Sequence, residues 1–144
     1  MNMLREIFFS NGWITWSGVD YDLKQAFDGV VGARNNGWMI GRYSGGYIGY
    51  IFDNPKEIIG VSLAQGPNIY KEVDARCKDF NVEYYDGEKW VLAYSNTLSK
   101  ETVQLQDFTF KSSGKHNKWR IFIINHHYDN LAYVGLSEIK FIEK

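Results

Sequence analysis

Hydrophobic and polar positions alternate along much of this chain with a period of two. In EIIGVSLAQ, residues 57–65, Ile59, Val61 and Leu63 fall on one face and Gly60, Ser62 and Ala64 on the other. Phe80, Val82 and Tyr84 alternate with polar residues, Asp86-Gly87 marks a hairpin, and Trp90, Leu92 and Tyr94 alternate on the return. For both triplets to face one core, the loop must hold an odd number of residues. The pattern predicts the three-residue loop Tyr85-Asp86-Gly87, with Gly87 left-handed and Val82 opposite Trp90. WRIFIIN is apolar on both faces, which is the mark of a central strand. TVQLQDFTF changes phase between Leu105 and Phe108, predicting a bulge near Gln106-Asp107.

Together these signals predict strands at 6–10, 13–17, 47–53, 57–65, 76–85, 89–95, 102–110, 119–127 and 133–142. Only DYDLKQAF, Asp20–Phe27, reads as helical, for about two turns. Short antiparallel strands around one doubly apolar strand predict an all-β fold, a two-sheet β-sandwich of the jelly-roll kind. The 144 residues carry no repeat, low-complexity tract or proline-rich linker, and are read as a single domain, 1–144.

Composition narrows the function. A net charge of −1, with acidic and basic residues interspersed, presents no basic stripe and argues against nucleic acid as a partner. No apolar run approaches the roughly 20 residues of a transmembrane segment. The stretch MNMLREIFFSNGW lacks the pattern of a signal peptide. Cys77 is the sole cysteine, so no internal disulfide forms, and it reads as a buried thiol rather than a nucleophile. Aromatic residues make up 17%, including ten tyrosines and five tryptophans, residue types that stack on sugar rings or anchor interfaces. Trp13 and Trp16, three apart, cannot both face inward on one strand, which leaves one for an outer contact.

The order of motifs carries a resemblance. AFDG (Ala26–Gly29) is followed by Trp38, YIGYIFDNPKEIIGVSL, KDFNVEYYDGEKW, KWRIFII and a closing YVGLSEIKF. Over about residues 20–143 this resembles the discoidin, or coagulation factor 5/8 type C, family of galactose-binding-domain-like jelly rolls. That family includes the family 32 carbohydrate-binding modules. The resemblance implies a non-catalytic binder that grips its ligand through loops at one end of the sandwich. It also implies one structural calcium, held by Asp28 of the "DG" motif and Glu138 of the last strand, oxygen donors of the kind calcium takes. Here the loop after Asp28 has neither threonine nor serine and carries Arg34.

The family's sugar-binding histidine and arginine are absent, since Trp38 is followed by Met39 and VSL leads to Gln65. Asn68 matches approximately, and the aromatic five residues before Glu138 is present as Tyr133. The candidate ligand-binding residues are therefore Arg42, Tyr43, Gln65, Asn68, His126 and Tyr133, with His127 and Tyr128 beside them. His126 and His127 are adjacent on a strand, so their rings diverge. His116 belongs to that strand's other end, roughly 25–35 Å away, and a three-histidine metal site is not expected. Nothing resembles a nucleophile elbow or a phosphate loop, so no catalytic residue is assigned. Two functions remain: a carbohydrate-binding module recognising a glycan or glycoconjugate, or a protein-interaction module. The latter would be a homo-oligomer or bind a protein partner, for example as a virion decoration or attachment protein. Cell adhesion or virion attachment is the setting expected.

Overall fold

The computed structural model describes residues 7–33, 36–41, 44–66, 76–127 and 133–144. Its strands are β1 (Ile7–Ser10), β2 (Thr15–Trp16), β3 (Val19–Asp20), β4 (Trp38–Ile40), β5 (Gly46–Gln65), β6 (Asp79–Tyr85), β7 (Trp90–Thr97), β8 (Gln106–Thr109), β9 (Lys115–Ile123) and β10 (Val134–Glu143). The 20-residue β5 organises the sandwich because it belongs to both layers. Its first part pairs with β1 and β9, and β9 continues to β6 and β7. Its last part pairs with β10 and β8, and β10 continues to β4. The ladder to β9 shifts register between Ile51 and Lys56, around Pro55, which cannot donate a bond; it resumes at Lys56 and Glu57, and β5 joins β10 from Ile58 onward. All these ladders are antiparallel. No helix among the described residues is long and apolar enough to cross a membrane.

Among the described residues the larger core lies between the layers, and a smaller cluster forms around Tyr21 and Met39, with Trp16 and Tyr133 packed on it. Ile48, Phe80, Val82, Trp119, Ile121 and Ile123 meet Val61, Leu63, Val134, Leu136 and Ile139, all essentially buried. Trp38 is also buried, and its indole N–H donates to the Gly12 carbonyl at 2.8 Å. As its two apolar faces predict, β9 is central, between β5 and β6.

Several local readings change. The strands expected at 47–53 and 57–65 are the single β5, the one expected at 119–127 starts at Lys115 and ends at Ile123, and β4 was not expected. The helical stretch is one turn of 3-10 helix, Leu23–Phe27, capped by Asp22, whose carboxylate accepts the Lys24 N–H at 2.9 Å. The second predicted strand is a tight hairpin, β2 to β3, turning through Ser17 and Gly18, both at positive φ. β8 starts at Gln106, so the phase change in TVQLQDFTF is the strand's beginning, not a bulge within it. The β6–β7 loop has four residues: Tyr85 lies opposite Trp90, and the Asp86 carboxylate accepts the N–H groups of Glu88 and Lys89. Gly87 does have positive φ.

The ladder itself carries a bulge, at Ala93, so that Val82 faces Tyr94 and the expected triplet is split: Trp90 and Leu92 lie on the outward face. Tyr94 therefore turns inward onto Phe108 and Phe110, while Leu92 remains 57% exposed. A similar shift at Ile59 puts Ile58 in the core instead of Ile59. On the outward face of the first layer, Phe9, Tyr47, Tyr85, Trp90, Lys118, Arg120 and Phe122 form neighbouring rows. Gly49 lacks a side chain for a local reason: a Cβ there would collide with the Phe9 ring and the Trp119 carbonyl.

Candidate functional site

The segments that join the layers at one end of the sandwich carry the candidate ligand residues. Bridges Arg76–Gly135 and Cys77–His126 set the start of β10 and the end of the β9 segment on either side of Arg76-Cys77. His126 and Tyr133 are thus brought to the same end of the molecule. Arg42, Tyr43, Asn68 and Tyr128 lie outside the described residues, as does Arg34.

Gln65 requires a correction. Its side chain is fully buried, and its amide is engaged by the protein itself. It accepts the Cys77 N–H at 2.8 Å and donates to the carbonyls of Cys77 at 2.6 Å and Ser99 at 3.1 Å. An amide so enclosed has little left to offer a sugar hydroxyl. Gln65 is the brace beneath the site, and it fixes the segment from which the bridge to His126 springs.

The two histidines diverge in role. A ring nitrogen of His127 meets the Leu98 carbonyl at 2.7 Å, and the backbone N–H of His127 donates to the Arg76 carbonyl at 3.0 Å. That pins the chain. His126 is half-buried beside Cys77. No group of three or more His, Cys, Asp or Glu side chains that could hold a metal ion occurs among the described residues. His116 stands at the start of β9, stacked on Tyr84 with centroids 3.7 Å apart. Asn125, just before the pair, accepts the Asp79 N–H and donates to its carboxylate, both at 2.8 Å. Hydrogen bonds from Thr97 and then Asn125 hold the Asp79 carboxyl below the usual range.

Tyr133 is half-buried, with its ring 5.6 Å from that of Trp16. Trp16 is thus the partner that sequence reasoning left unassigned. The two tryptophans do not share a strand, as the spacing argument supposed: Trp13 precedes β2 and is 51% exposed, whereas Trp16 packs inward. Arg76, nearly buried at this same end with Nη1 3.2 Å from the Thr102 carbonyl, had no signal beyond being a charge in a strand. Cys77 is buried, and burial chiefly raises its thiol pKa, so it is a poor nucleophile.

A second constellation lies along β10. The Glu138 carboxylate accepts the Gly29 N–H at 2.9 Å, and Asp28 accepts from the Val30 N–H and the Asn36 amide, each at 3.0 Å. Ser137 accepts the Gly32 N–H at 3.1 Å. The Glu138 carboxyl is pushed up to about 7, chiefly by burial; the nearby charge of Asp28 adds to this and the Gly29 N–H opposes it. Two neighbouring carboxyl groups, one poorly hydrated, are oxygen donors that fit a hard cation such as calcium.

No family model matches this sequence, and no curated protein matches it. Solved structures do. A family 32 module of AlyQ, in complex with 4,5-unsaturated mannuronic acid, superposes with a TM-score of 0.72 at 18% identity, covering 97% of this chain and 95% of that one. An F5/8 type C domain from Bacteroides fragilis gives 0.74 at 16% identity, over 97% and 92%. The family 32 module of Clostridium perfringens NanJ, in complex with galactose, gives 0.71 at 10% identity, over 94% and 92%. The fold is that of the F5/8 type C and family 32 carbohydrate-binding domains. On this discoidin-like sandwich the connecting segments around His126 and Tyr133 form one end, and the Asp28–Glu138 pair lies against β10.

Proposed function

We propose that this protein is a non-catalytic carbohydrate-binding module that takes its glycan at the end of the sandwich bearing His126 and Tyr133. The observation that carries the reading is the near-complete superposition on modules solved with sugars bound, joined to an aromatic pair, Trp16 and Tyr133, at that end. Tyr133 offers a ring edge or face to sugar C–H groups, and His126 offers a ring nitrogen to hydroxyls. Arg42, Tyr43 and Asn68 are proposed to join them. Single-site affinity is weak, because sugar hydroxyls exchange water bonds for protein bonds at small net gain, and multivalent display supplies the avidity needed for attachment to a cell or virion surface. The test is a glycan array probed with a multivalent form of the protein, followed by calorimetry on the hits. Absence of any glycan binding by that multivalent form overturns the reading.

Asp28 and Glu138 are proposed to hold one structural calcium ion, which, when bound, ties the Asp28–Gly32 turn to β10. A second reading, a protein-interaction module, is favoured by one observation: Ile7, Leu92 and Ile124 are 50%, 57% and 39% exposed at the margins of the outward aromatic rows. Light scattering after size exclusion separates the two, because a strict monomer with no captured protein excludes the second.

A further inference from the structure

At the end of the sandwich away from His126 and Tyr133, β5, the β6–β7 loop and the start of β9 enclose an open pocket of about 300 Å³. Its wall has two kinds of surface. Ile51, Pro55 and the Tyr85 ring are apolar, whereas Lys115, Asn117 and Lys118 offer N–H donors. The volume is at the lower end of the range for small-molecule sites.

The charges of this wall do not cancel. Among the described residues Asp86 is its one acidic residue, and Oδ1 of Asp86 already accepts the N–H groups of Glu88 and Lys89. Those two bonds hold the Asp86 carboxyl below its ordinary range. The Glu57 carboxyl, opposite Lys115 across the β5–β9 ladder, is held below its ordinary range chiefly by the Ser112 hydroxyl, with Lys144 and then Lys115 adding to it. Lys118 faces rings: its Nζ lies 5.0 Å from the centroid of Tyr85 and 5.3 Å from those of Phe9 and Trp90. The neighbouring Arg120 differs, since it bonds Glu83 at 2.8 Å and so brings its own counter-charge. His116, also on the wall, is stacked on Tyr84 with a ring nitrogen 2.8 Å from the Ser113 carbonyl.

We infer that this pocket is a second ligand site, for an acidic saccharide: a pyranose ring bearing a carboxylate. The ring's C–H face packs on Tyr85 and Pro55, the carboxylate meets Lys118 with Lys115 behind it, and Asn117 serves a hydroxyl. A bare inorganic anion leaves the apolar wall unused, and a neutral sugar can accept hydrogen bonds from the two ammonium groups but offers them no counter-charge; a uronate meets both the apolar wall and the charge. The site is distinct from the one proposed above and does not depend on it.

The test is an NMR titration of the ¹⁵N-labelled full chain with trigalacturonic acid, with neutral galactotriose and sodium sulfate as parallel arms. Trigalacturonate is expected to shift the amide signals of Gly87, Asn117 and Lys118, with binding that weakens as sodium chloride is added. Lys118→Met retains the apolar stem over the rings and is expected to weaken binding about tenfold, as loss of one charge-assisted bond does. Lys115→Ala is the second variant and is expected to weaken binding less. The inference is overturned if galactotriose shifts the same signals equally, if sulfate alone reproduces them, or if Lys118→Met binds unchanged. Signals of His126, His127 and Tyr133 report separately on the other end, so either site can fail alone.

Discussion

Replacing Gln65 by leucine tests whether this residue braces the site or touches the ligand. The substitution keeps much of the side-chain volume, so little cavity is left, and removes three hydrogen bonds. The Cys77 N–H and carbonyl are then buried without their partner, because Gln65 and Cys77 are both fully enclosed. An unmet buried donor or acceptor costs about 1–3 kcal/mol. The Ser99 carbonyl is nearer the surface and loses less, so the expected destabilisation is about 2–4 kcal/mol. Equilibrium urea unfolding followed by tryptophan fluorescence measures it, as a lower midpoint with unchanged slope. Galactose-type or uronate binding, measured well below the midpoint, should move little. A stability loss under about 0.5 kcal/mol would refute the brace. Retained stability with lost sugar binding would return Gln65 to the ligand set.

The remaining predictions concern other groups. Folded Glu138 holds its proton up to about pH 7, while the unfolded chain releases it near 4.5. In EDTA the stability is therefore fully present below pH 4.5 and falls as pH rises from 4.5 through 7. The loss is about 1–2 kcal/mol once solvent screening at the exposed Asp28 turn is allowed for. Thermal melts of Glu138→Gln should lack this slope, and calcium chloride at pH 7.5 should raise the melting temperature of the unaltered protein but not of the variant. Cys77, buried with a raised thiol pKa, should react with a thiol reagent such as DTNB only on unfolding; rapid labelling of the native protein would contradict its enclosure. Glu83→Ala leaves Arg120 among Tyr47, Trp90 and Phe122 without its carboxylate, and should cost about 1–3 kcal/mol in urea unfolding.

Much of the sandwich was legible along the chain, because alternation is a local property. Val61 and Leu63, and Phe80 and Val82, each mark one buried face without reference to any partner. The apolar residues on both sides of Trp119–Ile124 likewise marked β9 as central. The motif order from Asp28 to Glu138 carried the fold.

What pattern alone could not decide was where alternation breaks and which polar groups remain available. The alternation of β6 and β7 placed the extra residue in a three-residue turn, Tyr85-Asp86-Gly87. The tertiary structure puts it at Ala93, where Tyr94 can reach Phe108 and Phe110 while Trp90 stays outside over Arg120. Gln65 looked like a loop amide until Cys77 and Ser99, 12 and 34 residues onward, enclosed it. The pocket beside Lys118 likewise exists only because β5, the β6–β7 loop and β9 meet there. The sequence by itself determined which residues prefer a pleated face. Contacts between distant segments determined which of those faces were buried and which side chains were left to meet a ligand, since burial and hydrogen-bond pairing are set by whatever neighbour arrives.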